Sequence, residues 1–193
     1  MTAACEDLDM QASAPSGPVE LTSNRLVLRM PVESDVDAIT QACQDPDIQR
    51  WIPVPVPYER EHAVAFVEDC AEQWAAGTGA MTWAVLDAAG GHLVGMASLH
   101  ARDAGMKELG FWTAPWARGK GVMTEAATLV CRYAFEVLGM GRVEWWAAVG
   151  NEASRRVAEK VGFQVEGTCR ARLAHRGQRL DGWVAGLLPD DLR

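Results

Sequence analysis

A glycine-containing bend that leads into a long amphipathic helix constrains the fold of this chain more than any other segment. The bend is Arg118–Gly121, and the apolar residues after it recur with a helical period as far as Leu138. A strand-like run, Glu108–Thr113, precedes it. Glycine allows backbone N–H groups to turn toward an anion, and the first helical turn leaves its amides unpaired. The segment therefore predicts a strand, a bend and a helix that bind phosphate, or an ordinary helix entry without a ligand.

The composition excludes several classes of protein. The chain has 193 residues, 49% hydrophobic and 23% charged, which favours one globular domain over a disordered or fibrous chain. Five cysteines without a C-x-x-C pair and four histidines without ligand spacing predict neither disulfides nor a metal site. No stretch approaches the roughly 20 apolar residues of a membrane span, and the acidic first residues do not resemble a secretory signal. We therefore expect a cytoplasmic protein that binds no membrane and no metal.

Charge is distributed unevenly along the chain. Residues 1–100 contain 15 acidic and 4 basic residues, whereas residues 101–193 contain 11 and 14, for a net charge of −8. This net charge argues against sequence-independent binding of nucleic acid. The asymmetry allows a basic half to face an anionic cofactor and an acidic half to face a cationic substrate. Alternatively, the acidic residues only cover solvated helices.

Residues 1–18 lack an apolar period and are predicted to form a disordered leader, which leaves residues 19–193 as the domain. The order of elements in the domain is a strand, two helices, three strands, a helix, a strand, a helix and two strands. The predicted strands are Leu21–Arg29, Met81–Leu86, Leu93–Ala101, Glu108–Thr113, Val143–Val149, one that begins at Phe163, and Leu180–Leu188. We therefore expect a single α+β domain with a curved, mostly antiparallel sheet of about seven strands and helices on both faces.

The segment between the first two helices is predicted to lack regular structure. Asp45-Pro46 should break the first helix, and the alternating prolines of residues 53–57 should run extended over the surface. Trp51 lies just before those prolines. An aromatic ring there can form an apolar or cation-binding wall for a ligand.

A second motif follows the glycine bend. The run Asn151–Phe163 has the pattern N-x-x-S-x-x-x-x-E-K-x-G-F and precedes Glu166-Gly167. Together with GFWTAPWARGKGVMTEA before it, and with RLVLRMPVESDVDAI and DPDIQRW nearer the start, this motif resembles the GNAT superfamily of N-acetyltransferases. The similarity is specifically to its ribosomal-protein N-terminal acetyltransferase (RimJ/RimL-like) branch, and it extends from about Leu21 to Leu187.

The resemblance implies acetyl-coenzyme A as the donor, with its pantetheine arm completing the sheet between two splayed strands. The cofactor-binding residues it implies are Phe111, Trp112, Thr113, Arg118, Gly119, Lys120, Gly121, Val122, Met123, Thr124 and Asn151. Asn151 would hydrogen-bond the pantetheine, or only cap its own helix. Met123 departs from the family pattern, which has a small residue at this position. Its side chain should pack between helix and sheet or point at the pyrophosphate.

Two residues are candidates for catalysing the direct transfer of the acetyl group to an amine. Glu108 begins the strand that would line the thioester, and it could accept the amine proton directly or through water, or be a structural acid. Ser154 matches the serine of the family motif, which would protonate the departing thiolate, or it only joins the first turn of its helix. The demand on a base is small for an α-amine, because deprotonation near pKa 7.7 costs about 1 kcal/mol at pH 7.

The acceptor is an amine, either a protein N-terminus or a small molecule. Trp51 and His100 are the candidate substrate residues, and His100 could also serve as a base. The family resemblance places Trp51 in the segment that covers the acceptor groove. Two alternatives stay open: a catalytically silent module that binds acyl-coenzyme A, and a transferase that uses another acyl donor. We expect a monomer or a homodimer.

Overall fold

The structure is a computed structural model that describes residues 17–77, 79–103 and 105–193. Nearly all of the predicted leader, residues 1–18, therefore lies outside the described residues. Within the described ranges, no helix combines the length and hydropathy that crossing a lipid bilayer requires.

The described residues form one sheet of eight strands together with five α-helices. The strands are β1 (Leu21–Thr22), β2 (Leu26–Arg29), β3 (Met81–Asp87), β4 (Leu93–Asp103), β5 (Met106–Thr113), β6 (Arg142–Ala148), β7 (Gln164–His175) and β8 (Gln178–Leu187). The helices are α1 (Val36–Cys43), α2 (Pro46–Trp51), α3 (Arg60–Ala76), α4 (Val122–Glu136) and α5 (Glu152–Val161). The strand order is β1-β2-β3-β4-β5-β6-β8-β7, and every neighbouring pair except β5 and β6 is antiparallel. The predicted α+β fold with a mostly antiparallel sheet is confirmed, with one strand more than expected.

The additional strand arises because the predicted first strand, Leu21–Arg29, is two strands joined by a turn. The hydroxyl oxygen of Ser23 accepts hydrogen bonds from the amides of Arg25 at 3.2 Å and Leu26 at 3.0 Å. A serine that bonds its own following backbone stabilises a turn. The chain reverses here, and β1 pairs antiparallel with β2. The prediction of one continuous strand was therefore wrong.

The segment around Asp45-Pro46 also differs from the prediction. The first helix ends before it as expected, but a second short helix, α2, begins at Pro46. The Asp45 carboxylate caps α2 by accepting hydrogen bonds from the amides of Asp47 at 3.1 Å and Ile48 at 3.0 Å. Proline is tolerated in a first turn because its missing N–H would be unpaired there anyway. Trp51 is consequently the last residue of a helix.

Helices cover both faces of the sheet, as predicted. Trp83 and Val85 of β3 belong to the larger core cluster, which includes the buried face of α4. The alternate residues Ala84 and Leu86 belong to a second cluster formed with α1, α2 and α3. Because side chains of a strand point alternately to its two faces, one strand contributes to both cores.

The sheet opens between its two parallel strands. Residues Met106–Leu109 of β5 pair with Arg142–Trp145 of β6, and the pairing stops there. β5 continues to Thr113 alongside β4, and β6 continues to Ala148 alongside β8. The last residues of the two strands therefore have no partner on the sides that face each other. Helix α4 begins shortly after β5 and α5 shortly after β6, so both helices start near the open end of this gap.

Candidate active site

A cleft of about 1330 Å³ occupies the opening between β5 and β6. Its walls come from β4, β5, β6, the five α-helices and the β7–β8 hairpin. Every residue that the sequence singled out as a candidate lines this cleft, with the exception of Lys120. The structure thus brings together the predicted donor, acceptor and catalytic residues, and their individual roles stay predictions.

The glycine bend opens the donor end of the cleft. Gly119 and Gly121 have φ angles of +76° and +74°, in the left-handed region that glycine tolerates best. A β-carbon built at either position has no atom within 4 Å, so the backbone is open to a ligand at both. The next three amides, those of residues 122–124, belong to the first turn of α4 and have no acceptor within the helix. Such a set of amides, at the positive end of a helix dipole, suits a diphosphate.

The two cations of the bend have partners within the protein. The guanidinium of Arg118 pairs with Asp45 and, at 3.4 Å, with Asp47, so it reaches across to the start of α2. Lys120 directs Nζ to the carbonyl oxygen of Trp116 at 2.9 Å. Burial acts to raise the pKa of Asp45, but hydrogen bonds from Arg118 and from the helix amides outweigh it and lower that pKa. The bend therefore offers its amides to a ligand more directly than its charged side chains.

Three other cations, Arg50 and two on α5, line the cleft and were missed in the sequence. Arg156 and Lys160 lie one turn apart on α5, and neither forms an ion pair among residues 17–77, 79–103 and 105–193. Their spacing of four residues was a readable signal, because it places both on one face of a helix. Their positive charge faces the cleft, whereas Arg118 and Lys120 are engaged by other parts of the protein.

Met123 packs inside the protein. Only 2% of its surface is exposed, and its Cε lies 2.6 Å from the position that a β-carbon on Gly95 would take. Glycine in β4 thus makes room for the methionine between helix and sheet. Of the two orientations left open by the sequence, the structure shows the one that leaves the bend clear.

Ser154 is oriented by a buried tryptophan. The Oγ of Ser154 accepts a hydrogen bond from Nε1 of Trp145 at 3.1 Å, and Trp145 is 1% exposed. The amide of Ser154 donates to Oδ1 of Asn151 at 3.2 Å, so Asn151 caps α5 as predicted. Since the indole occupies a lone pair of the hydroxyl oxygen, the hydroxyl hydrogen remains available for donation.

Glu108 and His100 are cross-strand neighbours on the same face of the sheet. The carboxylate of Glu108 is held by Arg102, whose Nε lies 2.6 Å from Oε2. Nε2 of His100 lies 2.8 Å from Oγ of Ser98, and the residue opposite Ser98 is Gly110. A β-carbon at Gly110 would come within 2.9 Å of that Oγ and 3.0 Å of that Nε2. The absence of a side chain at Gly110 therefore leaves the Ser98–His100 pair intact.

The surroundings of His100 tune its basicity. Desolvation by the cleft walls lowers its pKa below the ordinary 6.5, the negative charge of Glu108 opposes that change, and the positive charge of Arg102 adds to it. The imidazole is therefore neutral at pH 7 and able to accept a proton. Glu108, whose carboxylate is engaged by Arg102, acts on this imidazole through its charge.

The acceptor end of the cleft lies between α2 and the β7–β8 hairpin. The ring of Trp51 lies 3.6 Å from the position of a β-carbon on Gly150, at the end of β6. Arg176, at the hairpin tip, donates from Nη2 to the carbonyl oxygens of Gln49 at 2.9 Å and Val54 at 3.1 Å. These two bonds fix the hairpin to the end of α2.

The acidic residues of the N-terminal half lie mostly outside the cleft. Helix α3 exposes Glu61, Glu68, Asp69 and Glu72, and none of them lines it. The acids that do line it are Asp47, Glu108 and Glu152, of which the first two are paired with arginines. Among the described residues, no group of three His, Cys, Asp or Glu side chains is placed to hold a metal. The structure therefore favours the alternative in which the acids of the N-terminal half only cover solvated helices.

A sheet that opens between two parallel strands, with a glycine bend and two helix N-termini at the opening, forms a cleft suited to a ligand that carries a diphosphate. The family model described as an acetyltransferase (GNAT) domain matches residues 25–164. The chain therefore belongs to the GNAT family of N-acetyltransferases.

Relatives of known sequence or structure agree with this assignment. YdaF of Bacillus subtilis (strain 168), a candidate ribosomal N-acetyltransferase, is 45% identical to this chain over 93 residues. The matched residues make up 47% of this chain and 51% of YdaF, so the chain spans about half the length of that relative. A candidate ribosomal-protein-serine acetyltransferase from Vibrio cholerae has the same fold, with a TM-score of 0.81 and 23% identity over 89% of this chain and 98% of its own. RimL, the ribosomal L7/L12 alpha-N-protein acetyltransferase, was solved in complex with coenzyme A. It superposes with a TM-score of 0.79 and 20% identity, over 90% of this chain and 99% of the RimL chain.

Proposed function

We propose that this enzyme transfers the acetyl group of acetyl-coenzyme A directly to a primary amine, either a protein N-terminus or a small molecule. One observation carries the proposal: the gap between β5 and β6, the glycine bend and the start of α5 all open into one cleft. The names of YdaF and RimL favour a protein acceptor over a small one, and a ribosomal acceptor is consistent with the cytoplasm.

The donor fits this cleft by charge and by hydrogen bonding. The pyrophosphate is bound by the amides of residues 119–124, and Arg156 and Lys160 neutralise phosphate charge from the facing helix. The amides of the pantetheine arm bond to the edges of Phe111–Thr113 and of residues 146–148, which lack a strand partner. Asn151 lies where it can contact the same arm.

Proton removal from the acceptor is assigned to the His100 region. The neutral imidazole accepts the amine proton, and Glu108 stabilises the resulting imidazolium through its charge. Glu108 accepting the proton itself, directly or through water, is the alternative. The amine nitrogen then attacks the thioester carbon, and the tetrahedral intermediate collapses with loss of the thiolate. Ser154, whose oxygen is held by Trp145, donates its hydrogen bond to the departing sulfur.

The test combines a donor assay with an acceptor panel. Purified protein is incubated with acetyl-coenzyme A and, in turn, with peptides bearing a free α-amine, polyamines and amino-acid derivatives. Thiol release and mass spectrometry of the acceptor are measured together. We expect acetylation of at least one free-amine acceptor and none of the same acceptor with its amine blocked.

Two results would contradict the proposal. Tight binding of acetyl-coenzyme A without turnover on any amine would indicate a silent binding module. A larger thermal stabilisation by succinyl or longer acyl donors, with faster turnover, would indicate a different donor.

A further inference from the structure

A second, smaller cavity of about 520 Å³ adjoins the acceptor end of the cleft. Three residues, Arg50, Trp51 and Leu180, line both spaces, so one ligand can extend from the cleft into the cavity. The cavity is completed by Val149, Arg179 and Asp181. Its walls thus come from α2, the end of β6 and the start of β8.

Two arginines of this cavity have no carboxylate partner within the described ranges of the chain. Arg50 lies over the ring of Trp51, with Cζ 4.6 Å from the centroid, a contact that leaves the edge of its guanidinium free. Arg179 uses Nη1 to donate to the carbonyl oxygen of Arg172 at 3.2 Å. A guanidinium has five N–H donors, so both groups retain donors for an anion.

The contact between the hairpin and α2 brings together the two backbone segments that carry the arginines. Arg176, three residues before Arg179, donates to the carbonyl oxygens of Gln49 and Val54, which flank Arg50 and Trp51 along the chain. This contact holds the loop that carries Arg179 against the helix end that carries Arg50. Backbone segments that are already joined lose less conformational entropy when side chains on them bind a ligand.

Asp181 is the one acidic residue of the cavity. Its Oδ1 accepts a hydrogen bond from the amide of Ala171 at 2.8 Å, where β7 bulges away from regular pairing. With two arginines against one aspartate, the lining carries a formal charge of +1. A carboxylate is the planar anion that a guanidinium binds best, through two parallel N–H···O bonds.

We propose that the acceptor carries a carboxylate as well as its amine, and that Arg50 and Arg179 bind this carboxylate. The inference rests on the proposed function, because it places the amine of the same molecule in the cleft. The carboxylate is an acidic side chain close to the N-terminus of a peptide, or the carboxylate of a small amino acid. An acceptor with a cationic group at this position is disfavoured by the same two charges.

The test compares acceptors that differ only in the carboxylate. The first arm uses the amidated peptides Ala-Glu-Ala-Ala and Ala-Gln-Ala-Ala, and the second uses free alanine and alaninamide. Turnover is measured for the natural protein and for Arg50→Gln, Arg179→Gln and the matched control Arg170→Gln, whose side chain lines neither space. Thermal melting of each variant verifies its folding.

We expect the natural protein to prefer the carboxylate-bearing member of at least one pair by about tenfold or more in kcat/KM, as charge-assisted hydrogen bonds allow. Arg50→Gln and Arg179→Gln should remove most of that preference through KM, and Arg170→Gln should keep it. The arm that shows the preference identifies the source of the carboxylate.

The outcomes separate this inference from the proposed function. Acetylation of all four acceptors with no carboxylate preference would overturn the inference alone. If no acceptor is acetylated, calorimetric titration of the two peptides in the presence of coenzyme A decides the matter without turnover. Equal affinity, or a preference unchanged in Arg179→Gln, would also overturn it.

Discussion

The indole Nε1 of Trp145 donates a hydrogen bond to Oγ of Ser154 across the interface between β6 and α5. Trp145 belongs to the core cluster that includes α4 and α5, and both Trp145 and Ser154 line the cleft. A residue of the core thus fixes the direction of a hydroxyl at the proposed reaction centre. We therefore expect Trp145 to act as a positioning residue.

Replacement of Trp145 by phenylalanine should therefore lower kcat while KM for acetyl-coenzyme A stays close to its natural value. A fall of about threefold to tenfold corresponds to the loss of one neutral hydrogen bond. Steady-state kinetics of Trp145→Phe, Ser154→Ala and the double variant check it. In the double variant, Trp145→Phe should add little to the effect of Ser154→Ala, because the indole acts through the serine. Independent, multiplying effects on kcat would refute the positioning role.

The acid limb of the pH profile should report His100. A base must be unprotonated, so kcat/KM should fall as the pH drops through the pKa of His100, which lies below 6.5. His100→Gln should remove this limb and lower kcat/KM by about a hundredfold. Glu108→Gln should instead shift the limb to lower pH, because the negative charge that raises the pKa of His100 is lost.

These pH profiles also decide between the two candidate bases. If Glu108 takes the proton itself, Glu108→Gln abolishes the limb and His100→Gln retains it. Arg60→Gln, which alters an exposed ion pair with Asp37 away from the cleft, serves as the control with an unaltered profile.

Gly121 and Gly77 form a matched pair for testing the donor site. Both have positive φ, +74° and +63°, and open space around a β-carbon, but only Gly121 belongs to the cleft. Alanine at either position should cost about 1–2 kcal/mol of stability, because an L-residue is strained in that region. Only Gly121→Ala should weaken acetyl-coenzyme A, by about tenfold in Kd measured by calorimetry. A comparable loss of affinity in both variants would point to global destabilisation instead of the bend.

Asp45 should stabilise the protein in a pH-dependent manner. Its pKa is lowered in the folded state, so its contribution is present above the ordinary value of 3.8 and is lost as the pH falls through the folded pKa. Asp45→Ala removes the cap of α2 and the partner of Arg118, and should cost about 1–2 kcal/mol at pH 7. In thermal melts from pH 7 to pH 3, the gap between the two proteins should stay constant down to about the ordinary pKa and narrow below it. A constant gap over this range would contradict the assignment.

The features that were predicted best from the sequence depend on residues that are close together along the chain. The glycine bend, the helix that follows it and the Asn151 cap all rest on local backbone chemistry, and each lies where expected. The turn at Ser23 was not predicted, because the alternating pattern of apolar residues continues through a tight reversal between two short strands. Helix α2 was not predicted, because a proline that ends one helix can also occupy the first turn of the next, as Pro46 does.

Side-chain partners distant along the chain were not predictable. Arg118 was expected to face a phosphate, and its pairing with Asp45, 73 residues away, depends on where α2 packs. The engagement of Glu108 by Arg102 depends on the register between β4 and β5, which includes a bulge. The presence of Arg50 and Arg179 in one cavity depends on how the hairpin reaches α2. Spacing along one element carries no information on such contacts.

The acidic outer surface of α3 affects how the enzyme meets its ligands in solution. The exposed acids of α3 repel an approaching anion, and the cleft cations that lack an ion pair within the described residues attract it. The association rate of an anionic ligand should therefore fall as the ionic strength rises and the Debye length shrinks. The exposed face of α3 thereby helps to decide from which side a ligand arrives.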